Sequence, residues 1–192
     1  FKPDSGPIYY INISQDDFKL GGSAFGQILN TIGKNTPDVQ SASYVKTVFN
    51  TLQELIQHNK IVAGHDVASG GLITTLLELC FSDTNIGADL NFNALNEADS
   101  IKLLFSENSG IVFQAKDESI EVELSKAGIE FHTIGRVTNT ATLNITNAAD
   151  TWSLDVSDLR DVWYETSFLL DQKQTANGLA KKRFDNYKNQ PL

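Results

Sequence analysis

The residues with the most chemical capacity in this chain lie between Lys60 and Leu79, where His65, Asp66 and Ser69 are closed by Gly70 and Gly71. The apolar run Ile61-Val62-Ala63 before them reads as a short buried strand. Beyond Gly71, the apolar residues at 72, 73, 76, 77, 79 and 80 follow helical spacing. An acid that ends a strand and passes through Ser-Gly-Gly into a helix places a carboxylate beside free helix N–H groups. Such a corner suits a metal–phosphate pair, with Asp66 holding a divalent cation and the Ala68, Ser69, Gly70 and Gly71 amides facing phosphate oxygens. Glycine adds no side chain to keep the phosphate away. The same residue types also make capped turns with no ligand, so the corner alone leaves both readings open.

A second glycine corner, Leu20-Gly21-Gly22-Ser23-Ala24, precedes apolar residues Ile28, Leu29 and Ile32 and predicts a short helix with Ser23 as its N-cap. Gly21, Gly22 and Ser23 would admit a phosphate or a close backbone approach. From this stretch alone, a capped helix start is the preferred reading.

The elements that must position these corners follow from periodicity. Ile8 to Ile13 is β-rich. Ala42 to Asn59 carries apolar residues at 45, 48, 49, 52, 55 and 56, an amphipathic helix ending at His58, which suits the negative end of the helix dipole. Gly87 to Phe92 alternates like a strand. Glu97 to Phe105 predicts a short helix, and Ile111 to Ala115 a strand. Asp117 is positioned to cap a helix carrying Ile120, Leu124 and Ala127, although Ile120, Val122 and Leu124 also fit strand alternation. Strands over 129–137 and 141–145, joined through Asn139, precede Trp152 and Leu154. A closing helix starts at Ser157, and the chain turns polar from Gln172 through Lys188. Interleaved elements with hairpin-like strands in the second half predict an α+β fold with a mixed β-sheet and packed helices. The expected boundaries are one domain over 1–171 and a linker or tail over 172–192.

Composition excludes several classes. A net charge of −9 argues against a general nucleic-acid binder. No apolar run is long enough to span a bilayer. The single cysteine, Cys80, cannot form an internal disulfide, so a reducing cytoplasm is the expected location, with Cys80 a small buried hydrophobe. The chain contains no methionine and opens Phe1-Lys2-Pro3, which reads as a piece of a longer polypeptide.

His65-Asp66-Val67-Ala68-Ser69-Gly70-Gly71-Leu72, joined to Leu104-Phe105-Ser106-Glu107, resembles a known family. The resemblance is to the large phosphoribosylformylglycinamidine synthases of purine biosynthesis, in the C-terminal lobe of their synthetase portion. That lobe is related to the C-terminal domain of aminoimidazole ribonucleotide synthetase. The family pattern is H-D-x-S-D-G-G-L followed by L-F-[SN]-E. Leu20-Gly21-Gly22-Ser23-Ala24 and Leu159-Arg160-Asp161-Val162-Trp163-Tyr164-Glu165-Thr166 are similar to two further stretches of it.

The resemblance implies one lobe of an amidotransferase that uses ATP, Mg2+ and glutamine to convert formylglycinamide ribonucleotide to the amidine. Its partners would be the other lobes and the glutaminase domain of the same polypeptide, reached through the polar tail, and the isolated piece would be inactive. Asp66 matches the family's magnesium-binding aspartate. Position 68, a nucleotide-contacting serine in the family, is Ala68, and the second acid is replaced by Ser69. His65 and Glu107 are candidate substrate or phosphate contacts, Glu107 alternatively a metal ligand or a strand-start acid. A stand-alone nucleotide-binding module and a structural lobe with a vestigial corner are the rival readings.

Overall fold

The computed structural model describes residues 1–187. Seven strands form one mixed sheet: β1 (Ile8–Asn12), β2 (Ile61–Asp66), β3 (Gly87–Asn91), β4 (Gly110–Ala115), β5 (His132–Thr138), β6 (Thr142–Asn147) and β7 (Asp150–Asp155). Their order across the sheet is β2-β4-β1-β5-β3-β6-β7. Every neighbouring pair is antiparallel except β3 and β6. The α+β mixed sheet expected from the sequence is the fold observed.

The sheet is covered on both faces at its β1–β4 centre, and strand alternation assigns the residues. Ile8 and Tyr10 point to one face, where they meet Leu72 and Leu76 of α3 (Gly71–Cys80) and Leu103 and Leu104 of α4 (Ser100–Phe105). Tyr9 and Ile11 point to the other face. There they meet Val48, Leu52 and Leu55 of α2 (Ala42–Gln57) and Ile120 and Leu124 of α5 (Ile120–Lys126). Burial on both faces explains why β1 and β4 read as continuous apolar runs. Beyond β3 one face is polar, with Asn144 Nδ2 donating to Asp89 Oδ1 at 2.7 Å and Ser153 Oγ to Asn144 Oδ1 at 2.8 Å.

Several local expectations are corrected. β2 is not a buried strand: it lies at the sheet edge, its residues half-buried or exposed, and it runs on through Gly64 and His65 to Asp66. The helix expected through Ile32 is only α1 (Ala24–Ile28), because Asn30 turns left-handed at φ 54°, leaving Ile28 and Ile32 83% and 76% exposed. β5 and β6 are not hairpin partners, since β3 lies between them; β6 and β7 do form a hairpin. Among the two acids and serine at 155–158, Asp155 rather than Ser157 caps α6 (Val156–Gln174), its side chain accepting from the Asp158 amide at 3.0 Å. Ser119 rather than Asp117 stands at the start of α5, with Asp117 bonding the Ser119 amide at 2.9 Å.

The segment expected to be a solvated connector from Gln172 is largely helical. α6 continues to Gln174, and α7 (Leu179–Asn186) folds back on it. Phe184 packs on Phe168 at 4.7 Å between ring centroids, and Arg183 Nε donates to Asp171 at 2.8 Å. Lys188 and the rest of the tail lie outside the described residues. Among the described residues no helix is long and apolar enough to cross a membrane.

Candidate functional site

Asp66 ends β2 opposite Ile111, and the Val67 amide continues the pairing to Gly110 O at 2.9 Å. Val67 then turns into the core, which throws Ala68 and Ser69 out into solvent. The chain regains the helix axis through two consecutive left-handed residues, Gly70 (φ 92°) and Gly71 (φ 76°). Gly71 lies flat on the end of α4: a β-carbon there would stand 2.7 Å from Leu104 O and 2.8 Å from Phe105 Cα. The main-chain oxygen of Asp66 accepts from Thr75 Oγ1 at 3.1 Å, which fastens the loop to α3.

This folding leaves the Asp66 carboxylate outside the turn. Its side chain is 79% exposed, and its nearest ion-pair partner is His65 Nδ1 at 3.6 Å. The turn amides that an aspartate commonly captures are otherwise disposed. Gly70 N donates to Glu107 Oε1 at 2.8 Å and Gly71 N to Ala68 O at 3.0 Å. The Ala68 and Ser69 amides have no intramolecular partner among the described residues. His65 acts as a brace: Nδ1 lies 2.7 Å from Asp66 O and Nε2 lies 3.2 Å from Glu78 Oε2, so both ring nitrogens face oxygens of the protein.

At the second corner the geometry is that of a capped helix start. The amides of Gly21, Gly22 and Ser23 donate to Asn35 O, Ile32 O and Leu20 O at 2.9, 2.7 and 3.2 Å. Buried Ser23 donates its hydroxyl to Leu20 O and accepts from Gly26 N at 3.2 Å. The donors expected to meet a phosphate at these three residues are therefore spent inside the 20–35 loop.

Glu107 brings the corners together. Its Oε1 accepts from Ala24 N at 2.8 Å as well as from Gly70 N at 2.8 Å. The neighbouring Phe105 stacks on Phe25 with centroids 4.7 Å apart. Sequence reasoning listed Glu107 but missed this convergence. It also missed Asn108, whose buried amide donates to Ser14 Oγ and Asp17 O at 3.1 and 2.9 Å and so holds the loop before the Gly21 corner. A buried-amide role leaves no periodic trace. Lysines 19, 34 and 102, which lie far apart in the sequence and form no motif, were missed as well; they line a cavity of about 570 Å3 beside Gly21.

Among the described residues no three His, Cys, Asp or Glu side chains gather where they would hold a metal ion. Asp66 fits magnesium in a narrower way. Its free, exposed carboxylate can supply one ligand, the remainder coming from phosphate, water and groups outside this chain's corner. An apolar groove of about 640 Å3 runs along β2 from Phe49 and Ile56 of α2 to His65 and Asp66. Cys80 is buried in α3, and burial pushes its thiol up to about 12, which disfavours the thiolate.

The profile of the family described as "AIR synthase related protein, C-terminal domain" matches residues 15–146. The chain is 33% identical over 175 residues to the probable phosphoribosylformylglycinamidine synthase, chloroplastic/mitochondrial, of Arabidopsis thaliana, covering 89% of this chain and 12% of that protein. It is 30% identical over 176 residues to the phosphoribosylformylglycinamidine synthase of Homo sapiens, covering 88% of this chain and 13% of that protein. The chain thus spans only about an eighth of the length of these relatives. Among solved structures, Thermotoga maritima PurL complexed with FGAR superposes with a TM-score of 0.60 at 13% identity, covering 82% of this chain and 28% of that one. The same protein complexed with ATP gives 0.58 at 15% identity, over 81% and 25%. At these identities the likeness is one of fold.

Proposed function

The chain belongs to the AIR synthase related family, whose C-terminal domain it carries, and on that premise we propose that it is one lobe of a phosphoribosylformylglycinamidine synthase. In this reading the whole polypeptide uses ATP and glutamine to convert formylglycinamide ribonucleotide to the amidine. The reaction phosphorylates the substrate's amide oxygen, and ammonia from a glutaminase domain displaces the phosphate. Protein groups in such a step chiefly position the reactants and neutralise charge. The 192-residue chain alone is expected to show no synthetase turnover, because its candidate metal site holds a single carboxylate.

This lobe's share is the Asp66 corner. The observation that carries the proposal is an unspent carboxylate on Asp66 beside the unpartnered amides of Ala68 and Ser69. Asp66 would hold magnesium, whose charge supports a nucleotide phosphate; the two amides, needing no side chain, would face the phosphate oxygens. A main-chain contact of this kind survives the family's serine becoming Ala68. With Ser69 in place of the second acid, the site suits an auxiliary nucleotide rather than the reacting one. Gly70 and Gly71 shape the turn, while Gly21, Gly22, Ser23, His65 and Glu107 support it from behind. A cytoplasmic location accords with the single free cysteine.

The test is Asp66→Asn in the full-length polypeptide, by Mg·ATP titration and thermal melting in parallel. The amide keeps the shape and loses the charge, so affinity should fall roughly ten-fold or more with an unchanged melting temperature. Lower stability with unaltered Mg·ATP affinity would instead establish a structural lobe with a vestigial corner, the reading that the loss of the second acid at Ser69 favours.

A further inference from the structure

We propose that Glu107 is a positioning residue that ties the two glycine corners into one unit, so that the turn beside Asp66 takes its shape from the turn at Gly21–Ser23. This rests on the reading of Asp66 as a magnesium–nucleotide site, and it removes Glu107 from the ligands of that site.

The carboxylate oxygen Oε1 receives the Ala24 amide and the Gly70 amide, each at 2.8 Å. Two N–H donors occupy both lone pairs of one carboxylate oxygen, and the negative charge makes each bond stronger than a neutral one. The donors come from helix starts far apart in the chain, those of α1 and α3. Neither helix start offers its own side chain to the amide concerned: Gly70 has none, and Ser23 caps Gly26 rather than Ala24. Glu107 is therefore the shared cap of two turns.

Its own position is fixed by the packing around the end of α4. Phe105 is stacked on Phe25 of α1, and Leu104 and Phe105 present their backbone to Gly71 of α3. Ser106, which separates Phe105 from Glu107, is buried and bonds its amide to Lys102 O at 3.0 Å. A shift of α1 must therefore be felt at Gly70 through both the carboxylate and the aromatic stack. Holding Gly70 in turn fixes the direction in which the preceding Ala68 and Ser69 amides point. The Ala68 and Ser69 amides and the Asp66 carboxylate are then left unconsumed by the turn.

Residue-resolved amide exchange on the full chain tests the coupling without a ligand. Glu107→Ala should speed exchange at Ala24 and Gly70 together, by roughly ten-fold or more, while amides of α2 on the far face stay as they were. Glu107→Gln, which keeps an oxygen acceptor without the charge, should recover part of the protection at both sites and covers the case in which the alanine variant fails to fold. Ser23→Ala, which touches only the first corner, should speed exchange at Gly70 most when Glu107 is present, less in Glu107→Gln, and least in Glu107→Ala, where only the Phe105–Phe25 stack still links the corners.

Mg·ATP titration of the full-length polypeptide supplies the functional arm. Glu107→Ala should weaken binding several-fold with Asp66 intact. Independent exchange at the two corners overturns the proposal. So does coupled exchange with Mg·ATP affinity unmoved by Glu107→Ala but lowered by Asp66→Asn, a result that leaves the Asp66 site standing. Failure of Asp66→Asn itself to lower affinity sinks the site reading and, with it, the positioning role.

Discussion

Replacing Gly71 with alanine should damage this fold more than the same change at Gly128, although both glycines are left-handed, at φ 76° and 69°. An L-residue in that region costs about 1–2 kcal/mol, and this term is common to the two sites. At Gly128 a β-carbon would meet nothing within 4 Å, so strain is the whole effect. At Gly71 it would lie 2.7 Å from Leu104 O and 2.8 Å from Phe105 C and Cα, all backbone atoms of α4 that cannot rotate aside. Overpacking of this kind adds about 1–3 kcal/mol, for a total of roughly 2–5 kcal/mol. In a domain of this size each kcal/mol moves the melting temperature by about 2–4 °C. Gly71→Ala should therefore melt roughly 4–20 °C lower and Gly128→Ala about 2–8 °C lower, with the difference between them reporting the α3–α4 contact. Differential scanning calorimetry on the three proteins reads this directly. Equal losses in the two variants would refute the claim that α3 begins flat against the end of α4.

Two further outcomes are expected. Asn108→Ala removes a buried donor to Ser14 Oγ and Asp17 O and should cost about 1–3 kcal/mol, with earlier proteolysis near residues 14–19; an unchanged urea midpoint would count against it. For Cys80, burial raises the folded thiol from 9.0 to about 12, so the unfolded chain releases its proton first. The sulfur's contribution is thus complete below pH 9 and is lost as pH rises from 9 towards 12, giving a steeper alkaline decline than in Cys80→Ala. Native protein should also resist iodoacetamide at pH 8 until denatured; labelling at the rate of a free thiol would contradict the burial.

What the sequence disclosed was decided by how local the cause is. The α2 helix was legible because Val48, Leu52 and Leu55 repeat on one stripe, and all three are buried as the stripe requires. The Gly70-Gly71 turn was legible because few other residues accept its backbone. β2 was cut short at Ala63, since Gly64-His65-Asp66 has the composition of a turn; an edge strand tolerates such residues because only one side is paired. α7 was hidden by its many charges, while buried Ala180, Phe184 against Phe168 and the Arg183–Asp171 pair hold it to α6. At the candidate site, Asp66 and its glycines could be named in advance, but the role of Glu107 could not. Its partners Ala24 and Gly70 lie 83 and 37 residues away, and no spacing rule links them.

The place of β1 has a consequence for how the molecule is made. Residues 8–12 precede every other strand of the sheet in chain order, yet they pair with residues 110–114 on one side and with 132–135 on the other. Ile8-Tyr9-Tyr10-Ile11 must then wait, apolar on both faces, for about a hundred later residues before a strand partner exists, the first being Ile111 opposite Ile11. Contacts this distant in sequence slow the search for the native state, and unpaired apolar strands recruit one another in the meantime. The first strand of this sheet in chain order is thus the keystone set late, and the lobe's exposure to holdases and self-association should end only once β5 has been translated.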